Sequence, residues 1–166
     1  MRVFLIVAGV LVALALVVVA IGYSLPVKHR AQNEAPLNAP PDSVFSLVTN
    51  VDAFPSWRAG VKSVERLPPK DGKQRFREVS KNGRISYSIE TLEPPRRVVT
   101  RIDDKSLPFG GSWTYEITPV GSTQSTLRIT EDGEIYNPIF RFVSRFILGY
   151  DGTIKDYLAS AKRRLG

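Results

Sequence analysis

The sequence predicts an α+β domain, in which a curved antiparallel sheet packs around a long C-terminal helix, preceded by an apolar N-terminal helix. Between Val61 and Tyr136, short alternating segments are separated by turn-forming residues, as in consecutive antiparallel strands. Asn137–Leu165 carries apolar residues at helical spacing, and Val3–Tyr23 is almost wholly apolar. Because the predicted helices are segregated from the strands, the class is α+β rather than α/β.

The apolar run Val3–Tyr23 contains no charged residue and is long enough to cross the ~30 Å hydrocarbon core of a bilayer. A cleaved signal peptide is the alternative, but its apolar region is usually ~7–15 residues long and ends at a small-x-small site. No convincing site follows in Gly22–Pro26. We therefore expect a single-pass transmembrane anchor over residues 1–26 and one domain over residues 27–166.

Basic residues flank both ends of this run, Arg2 on one side and Lys28 and Arg30 on the other. Counts this similar do not decide the orientation by the positive-inside rule. A short basic start before an apolar run is typical of an anchor with its N-terminus inside, which weakly favours an extracytoplasmic domain.

The chain is basic, with 23 Lys and Arg against 16 Asp and Glu, but the basic residues are scattered. A nucleic-acid-binding protein more often has a compact basic surface with aromatic residues beside it, so no nucleic-acid partner is expected. A solvated surface is the favoured explanation, and attraction to anionic lipid headgroups is the alternative. The absence of cysteine excludes disulfides and thiol chemistry.

After the anchor, Leu25–Pro36 is interpreted as a tether leading into a possible first strand. Ala39–Asp42 then starts a short helix, and Val51–Trp57 forms a second helical turn that Pro55 limits.

Six strands are predicted next, at Val61–Leu67, Lys73–Ser80, Ile85–Glu90, Arg97–Ile102, Ser112–Ile117 and Thr126–Thr130. Pro68–Gly72 and Lys81–Arg84 are turns between them, and the Asn-Gly pair of the second is a strong hairpin signal. Asp103–Gly110 is predicted as a loop, and Glu131–Gly133 as a break before the last helix. A twisted sheet of this size curls, so a helix can fill its concave side.

That helix is predicted as one element over Asn137–Leu165, with Asn137 as its N-cap and Pro138 at its first position. Its buried face would comprise Ile139, Phe142, Val143, Phe146, Ile147, Tyr150, Ile154, Tyr157, Leu158, Ala161 and Leu165, with Arg141, Ser144 and Arg145 opposite. Gly149 and Gly152 each cost ~1 kcal/mol relative to Ala inside a helix. They indicate either close packing against a strand or a bend at the mouth of a cavity.

These features together resemble the SRPBCC superfamily, the START-like and polyketide cyclase/dehydrase group with the helix-grip fold. The resemblance rests on Ala39–Phe45, Phe54–Trp57, the glycines before Trp113, the Thr130–Gly133 turn and Gly149-Tyr150. It covers all of the chain except the anchor and is closest to a membrane-anchored bacterial subset. The resemblance implies a seven-stranded antiparallel sheet around the C-terminal helix, with a cavity between them for apolar ligands such as lipids or polyketides.

Few residues carry chemistry on their own. With no cysteine and one histidine, a Cys–His or multi-His metal site is impossible, and no cofactor motif occurs, so no metal or cofactor is expected. His29, beside the anchor, is interpreted as a surface or strand residue rather than a catalytic one. Glu78 and Glu131 share strand parity with apolar neighbours, so each is either an inward acid or base or half of a surface ion pair.

The aromatic residues are the better candidates for binding, because Tyr and Trp combine an apolar body with a polar tip. The predicted ligand-binding set is Trp57, Phe76, Tyr87, Trp113, Tyr115, Phe142, Phe146 and Tyr150. Ordinary core packing is the alternative for each of them.

Three functions remain open from the sequence. The favoured one is a membrane-anchored, non-enzymatic module that binds a hydrophobic small molecule or lipid. The second is a cyclase or aromatase-like enzyme that uses Glu131, Glu78 or Tyr87. The third is a structural or partner-binding role with a filled core. The sequence does not determine the ligand or the oligomeric state.

Overall fold

The computed structural model describes every residue of the chain except Asn82. Helix α1 (Arg2–Ser24) precedes strand β1 (Lys28–Leu37), helix α2 (Pro41–Thr49), a 3₁₀ turn (Val51–Ala53) and helix α3 (Phe54–Trp57). The strands β2 (Val61–Lys70), β3 (Lys73–Ser80), β4 (Gly83–Glu93), β5 (Arg97–Ile102), β6 (Phe109–Val120) and β7 (Gln124–Ile135) follow. The chain ends in helix α4 (Pro138–Val143), a π-helical turn (Ser144–Leu148) and helix α5 (Gly152–Leu165).

The seven strands form one antiparallel sheet in the order β1-β7-β6-β5-β4-β3-β2, as predicted for an α+β helix-grip fold. The possible first strand within Leu25–Pro36 is confirmed as β1, but the tether before it is short, because β1 already begins at Lys28 and pairs along its whole length with β7. The break predicted at Glu131–Gly133 is also wrong, since β7 continues to Ile135. The predicted Asn-Gly turn falls on Asn82, outside the described residues, and the flanking strands pair with Ser80 opposite Gly83.

The core lies between the sheet and α5, with α2 and α3 covering one end. Ile154, Tyr157, Leu158 and Ala161 of α5 are buried, at the spacing predicted for the helix's apolar face. They pack with strand residues such as Leu127 and Ile129 and with helix residues such as Val44, all of them fully buried. Burying a side chain of this size contributes about 1.5–3 kcal/mol, so this layer fixes α5 against the sheet.

The single long C-terminal helix is not observed, because the helical structure is interrupted between Leu148 and Gly152. Gly149 has a φ of 75°, a left-handed conformation that ends the π-helical turn and that glycine adopts without steric cost. A Cβ added at Gly152 would meet open space, and one added at Gly149 would meet only Asp151 at 3.8 Å. Close packing is therefore excluded as the reason for either glycine. Of the two explanations offered from the sequence, the bend is correct, and the helix is completely interrupted there.

The break changes the phase of the first half of this segment. Ile139, Phe146 and Ile147, predicted to be buried, are 49%, 60% and 70% exposed, whereas Arg141 and Ser144 are buried. The α4 segment packs mainly against α1 and only to a lesser extent against β7, so its inward face differs from that of α5.

Helix α1 is the one helix among the described residues that is long and apolar enough to span a membrane. An uncleaved anchor and a signal sequence both fit that finding, and neither side of a membrane is indicated by it.

Candidate ligand-binding cavity

A cavity of about 660 Å³ lies between the sheet and the C-terminal helical segments and is partly open to the outside. Its walls come from β1 and β3 to β7, from α2, α3 and α5, and from the turn between α3 and β2. Phe140, Ser144 and Leu148, spaced four residues apart, extend the wall along α4 and the π-helical turn. Ligand sites for drug-sized molecules are typically ~300–1,000 Å³, so the volume suits a small organic ligand. A cavity of this volume contradicts the filled core that a purely structural or partner-binding role would imply.

A buried ion pair lies in this cavity wall. Arg58 Nη1 donates to Glu78 Oε1, and the two side chains are only 18% and 9% exposed. The guanidinium also lies over two rings, 4.8 Å from the Phe54 centroid and 4.7 Å from that of Tyr157. Burial, the largest single influence, would lower the pKa of Arg58, but the charge and hydrogen bond of Glu78 together with the nearby Tyr157 and Tyr115 outweigh it, and the pKa is raised. The pair therefore presents a fixed, charged group to an otherwise largely apolar space.

Three tyrosines surround this ion pair. Burial raises the pKa of Tyr115 to about 12, and it also raises the pKa values of Tyr87 and Tyr157. The Tyr115 and Tyr157 rings lie 5.5 Å apart, and the Tyr87 ring stacks on Phe76 with a centroid distance of 5.2 Å. Their hydroxyls stay protonated at neutral pH and can donate hydrogen bonds to a carbonyl or hydroxyl of a ligand.

A second polar pair lies in the cavity wall between β1 and β7. His29 Nε2 is 3.4 Å from Glu131 Oε1, and the His29 ring stacks on Tyr150 with centroids 4.1 Å apart. Gly133, the residue opposite His29 across the two strands, leaves room for the imidazole, since a Cβ there would lie 2.3 Å from the ring. Glu131 Oε2 is buried and has no hydrogen-bond partner among the described residues. A histidine and a carboxylate so arranged can hold and accept a proton.

Most of the residues predicted to bind a ligand are brought together by the structure. Phe76, Tyr87, Trp113, Tyr115 and Tyr150 line the cavity, as do both candidate carboxylates, Glu78 and Glu131. Glu78 points inward and is also ion-paired, although the sequence analysis treated an inward carboxylate and an ion-paired one as alternatives. With respect to ligand binding or catalysis, all of these assignments stay predictions.

Trp57, Phe142 and Phe146 are not part of the cavity wall formed by the described residues. Trp57 is buried in the core, where its ring meets Tyr157 edge-to-face at 5.2 Å. The rings of Phe142 and Phe146 contact each other with centroids 4.9 Å apart, and Phe146 is 60% exposed. The predicted placement of the last two is wrong because it assumed a continuous helical phase across Gly149.

Among the wall residues that sequence reasoning missed, His29, Arg58 and Tyr157 carry the polar chemistry described above. The parity of β1 could have found His29, because Ala35 and Leu37 have the same parity and face inward. Tyr157 was predicted to be buried but was not assigned to the site. Arg58 lies in a turn without periodicity, so no local pattern indicates that its charge is buried.

No group of three or more His, Asp or Glu side chains with metal-binding geometry occurs in residues 1–81 and 83–166.

Comparison with known proteins agrees with this geometry. Residues 28–166 match the family model described as "Polyketide cyclase / dehydrase and lipid transport". The chain belongs to this family. The match begins at the first residue of β1 and includes every strand of the sheet and α5, so the family assignment applies to the domain that contains the cavity.

Within the polyketide cyclase/dehydrase and lipid transport family, a similar curated protein is the granaticin polyketide synthase bifunctional cyclase/dehydratase of Streptomyces violaceoruber. The two are 28% identical over 110 residues, which is 62% of this chain and 34% of that protein. The chain therefore spans about a third of the length of this relative.

Solved structures share the fold at low sequence identity. The Zhui aromatase/cyclase of Streptomyces sp. R1128 superposes with a TM-score of 0.67 at 13% identity, over 83% of this chain and 93% of that one. Norcoclaurine synthase of Thalictrum flavum gives 0.66 at 10% identity, over 85% and 96%. A START superfamily protein of Mycobacterium smegmatis gives 0.64 at 14% identity, over 82% and 97%. These likenesses show that the chain shares the fold of these proteins, as its motifs predicted.

Proposed function

We propose that this protein binds a hydrophobic small molecule or lipid in the cavity between its sheet and its C-terminal helix, while α1 holds the domain at a membrane. The observation that carries the proposal is the cavity of about 660 Å³ with aromatic walls and a few fixed polar groups. Apolar walls provide affinity through burial, and a small number of polar groups orient the ligand.

The polar groups narrow the chemistry of the ligand. Arg58 is already neutralised by Glu78, so a fully charged ligand would gain little from it and would lose its hydration. The buried hydroxyls of Tyr87, Tyr115 and Tyr157 suit neutral oxygen atoms. The expected ligand is thus largely apolar, with one or more carbonyl or hydroxyl groups.

The first test is ligand retention. The full chain, purified in mild detergent, would be extracted and analysed by mass spectrometry against a variant with a narrowed cavity, Ile85→Trp with Ile89→Trp. Both residues line the cavity from β4. The control is Arg84→Trp with Glu90→Trp, which adds the same two rings at positions of opposite parity on the same strand.

We expect a bound lipophilic compound in the wild type and in the control, and its loss from the narrowed variant. A wild-type protein that carries nothing and binds no fatty-acid, quinone or sterol probe would contradict the proposal. Equal retention in both double variants would mean that the compound binds elsewhere.

A cyclase or dehydratase activity is the second candidate, and the His29–Glu131 pair favours it. Cyclisation by aldol addition needs a base to remove a proton from carbon, and dehydration also needs an acid for the departing hydroxyl. A histidine and a carboxylate 3.4 Å apart at a cavity wall can divide these two roles. Binding alone does not require such a pair.

The enzymatic candidate is tested with a β-hydroxyketone probe incubated with the wild type, His29→Asn and Glu131→Gln. Turnover that both substitutions abolish, with probe affinity retained, would support acid–base chemistry. If the wild type binds the probe without converting it, the simpler binding function is favoured.

A further inference from the structure

An exposed apolar surface lies beside the cavity, on the segment that precedes the Gly149 break. We define the α4 patch as Ile139, Phe140, Phe146, Ile147 and Leu148, whose side chains are 45–70% exposed. Arg145 is the one exposed charged residue between Asn137 and Tyr150, and this stretch has no acidic residue. A cluster of large exposed apolar side chains on one short segment indicates a surface that is covered in use.

The contact between α4 and α1 indicates what covers the α4 patch. α4 is the principal neighbour of α1, and Val18, Val19 and Gly22 are the residues in the last two turns of α1 that lose exposure. The fit is close, because a Cβ on Gly22 would lie 2.1 Å from the carbonyl oxygen of Pro138. Val18 to Ser24 spans about 9 Å of helix, so α4 lies alongside the end of the predicted span rather than beyond it.

Hydrogen bonds fasten the connection after α1 to the domain, which fixes the position of α4 relative to α1. Arg141 Nη1 donates to the carbonyl oxygen of Leu25 at 2.7 Å, and the backbone N–H of Ile135 donates to the carbonyl oxygen of Val27 at 2.8 Å. Arg141 is buried by these contacts. An α1 that spans a bilayer would therefore bring α4 to the membrane surface with it.

The residues around the patch have the chemistry of a membrane interface. Tyr23 and Tyr136, 69% and 48% exposed, lie at the end of α1 and just before α4, and tyrosine is enriched at the headgroup level. Arg145 is exposed among the apolar residues, where its guanidinium can reach lipid phosphates while its stem stays in apolar surroundings. Interfacial helices typically bury an apolar face ~5–10 Å deep, which matches the depth set by α1.

The same segment forms part of the cavity wall. Phe140 and Leu148 belong both to the α4 patch and to the wall, and Leu148 is 64% exposed, so it lies at the rim. We infer that the α4 patch lies in the lipid headgroup and upper acyl region, so that the cavity opens towards the bilayer rather than into water. This inference rests on the proposed function of α1 as an anchor. A ligand dissolved in the membrane would then enter without crossing the aqueous phase.

The cysteine-free chain allows a direct test by site-directed spin labelling. Full-length protein with a single cysteine would be reconstituted in phosphatidylcholine vesicles containing a minor fraction of phosphatidylglycerol. The labelled positions are Ile147→Cys in the patch, Leu11→Cys in the middle of α1, and Leu92→Cys and Val120→Cys as exposed apolar controls on the sheet, 48% and 49% exposed. Oxygen partitions into lipid and a nickel chelate into water, so the ratio of their collision rates measures depth.

We expect a ratio several-fold higher at Ile147 than at Leu92 and Val120, and highest at Leu11. A ratio at Ile147 equal to that of the two sheet controls would overturn the inference, provided that Leu11 is in lipid. If Leu11 is also in water, the anchor itself is refuted. Low collision rates with both reagents together with dipolar broadening would mean that a second copy covers the patch, which also overturns the inference.

The entry route is tested by loading a fatty acid that carries a fluorophore from the same vesicles. Ile147→Asp should slow loading several-fold, because a carboxylate in the α4 patch would draw this surface out of the lipid, whereas Val120→Asp should load at the wild-type rate. Equal rates in the two variants would refute entry from the bilayer. A wild-type protein that never binds the probe would contradict the proposed function instead, while the labelling result would stand on its own.

Discussion

The Arg58–Glu78 pair gives the most quantitative prediction, because each partner is enclosed and each depends on the other. Glu78→Gln removes the counter-charge and leaves the guanidinium buried among Phe54, Tyr157 and the strand residues. Breaking a buried pair on one side typically costs about 3–5 kcal/mol, and access of water through the cavity favours the lower end, about 3 kcal/mol. For a domain of this size, that corresponds to a decrease of roughly 10 °C in Tm.

The control is the exposed pair Arg66–Asp52, whose side chains are 48% and 60% exposed and whose closest atoms are also within hydrogen-bond distance. Asp52→Asn should cost less than ~1 kcal/mol, because water screens the remaining charge. Thermal unfolding of the full chain in detergent micelles, followed by circular dichroism, compares the two substitutions directly.

A double-mutant cycle combines the single variants Arg58→Met and Glu78→Leu with the variant that carries both substitutions. The double variant removes both charges, and its free energy of unfolding should lie within about 1 kcal/mol of the wild-type value, because no uncompensated charge is left buried. The reasoning is refuted if Glu78→Gln is no more destabilising than Asp52→Asn, or if the two single substitutions at the buried pair add without coupling.

Three further predictions test local features. Gly149→Ala should lower the free energy of unfolding by about 1–2 kcal/mol, because its φ of 75° is unfavourable for a Cβ, whereas Gly152→Ala in open space should be neutral or stabilising; chemical denaturation separates them. Gly133→Ala should displace the His29 ring from Tyr150 and cost about 1–3 kcal/mol, and the His29 imidazole resonances should shift in NMR spectra. Burial raises the pKa of Tyr115 from its ordinary 10.0 to about 12. The contribution of the neutral Tyr115 to stability is therefore complete below pH 10 and is lost as the pH rises through 12. Tyr115→Phe should reduce this loss of stability at alkaline pH, as measured by unfolding curves over a pH series.

Local patterns in the sequence predicted the sheet because each strand carries its own signal. The predicted bounds of β3 and β5 agree with the structure residue for residue, and alternation put Phe76 and Glu78 on the inner face. The bounds failed where turn-forming residues lie inside strands. β2 passes through Pro68 and Pro69 at an irregularity in its pairing with β3. β7 passes through Gly133, which pairs with strands on both sides, because pairing to neighbouring strands outweighs local propensity.

The candidate site was only partly predictable. Tyr87, Trp113 and Tyr115 line the cavity because strand parity is a local property. Phe142 and Phe146 do not line it, because helical phase can be extrapolated only while the helix continues, and it ends at Gly149. Arg58 could not be assigned, since its burial depends on Glu78 from another element.

The sequence by itself determined the class of the domain, the order of its elements, an apolar N-terminal helix and an inner face rich in aromatic residues. All of these depend on periodicity and composition within a few residues of each other. Only the tertiary structure decided that His29 faces Glu131, that Arg58 pairs with Glu78 and that the α4 segment packs mainly against α1. Each of these joins residues distant in the chain, and their proximity results from how the seven strands and the broken C-terminal helix pack together.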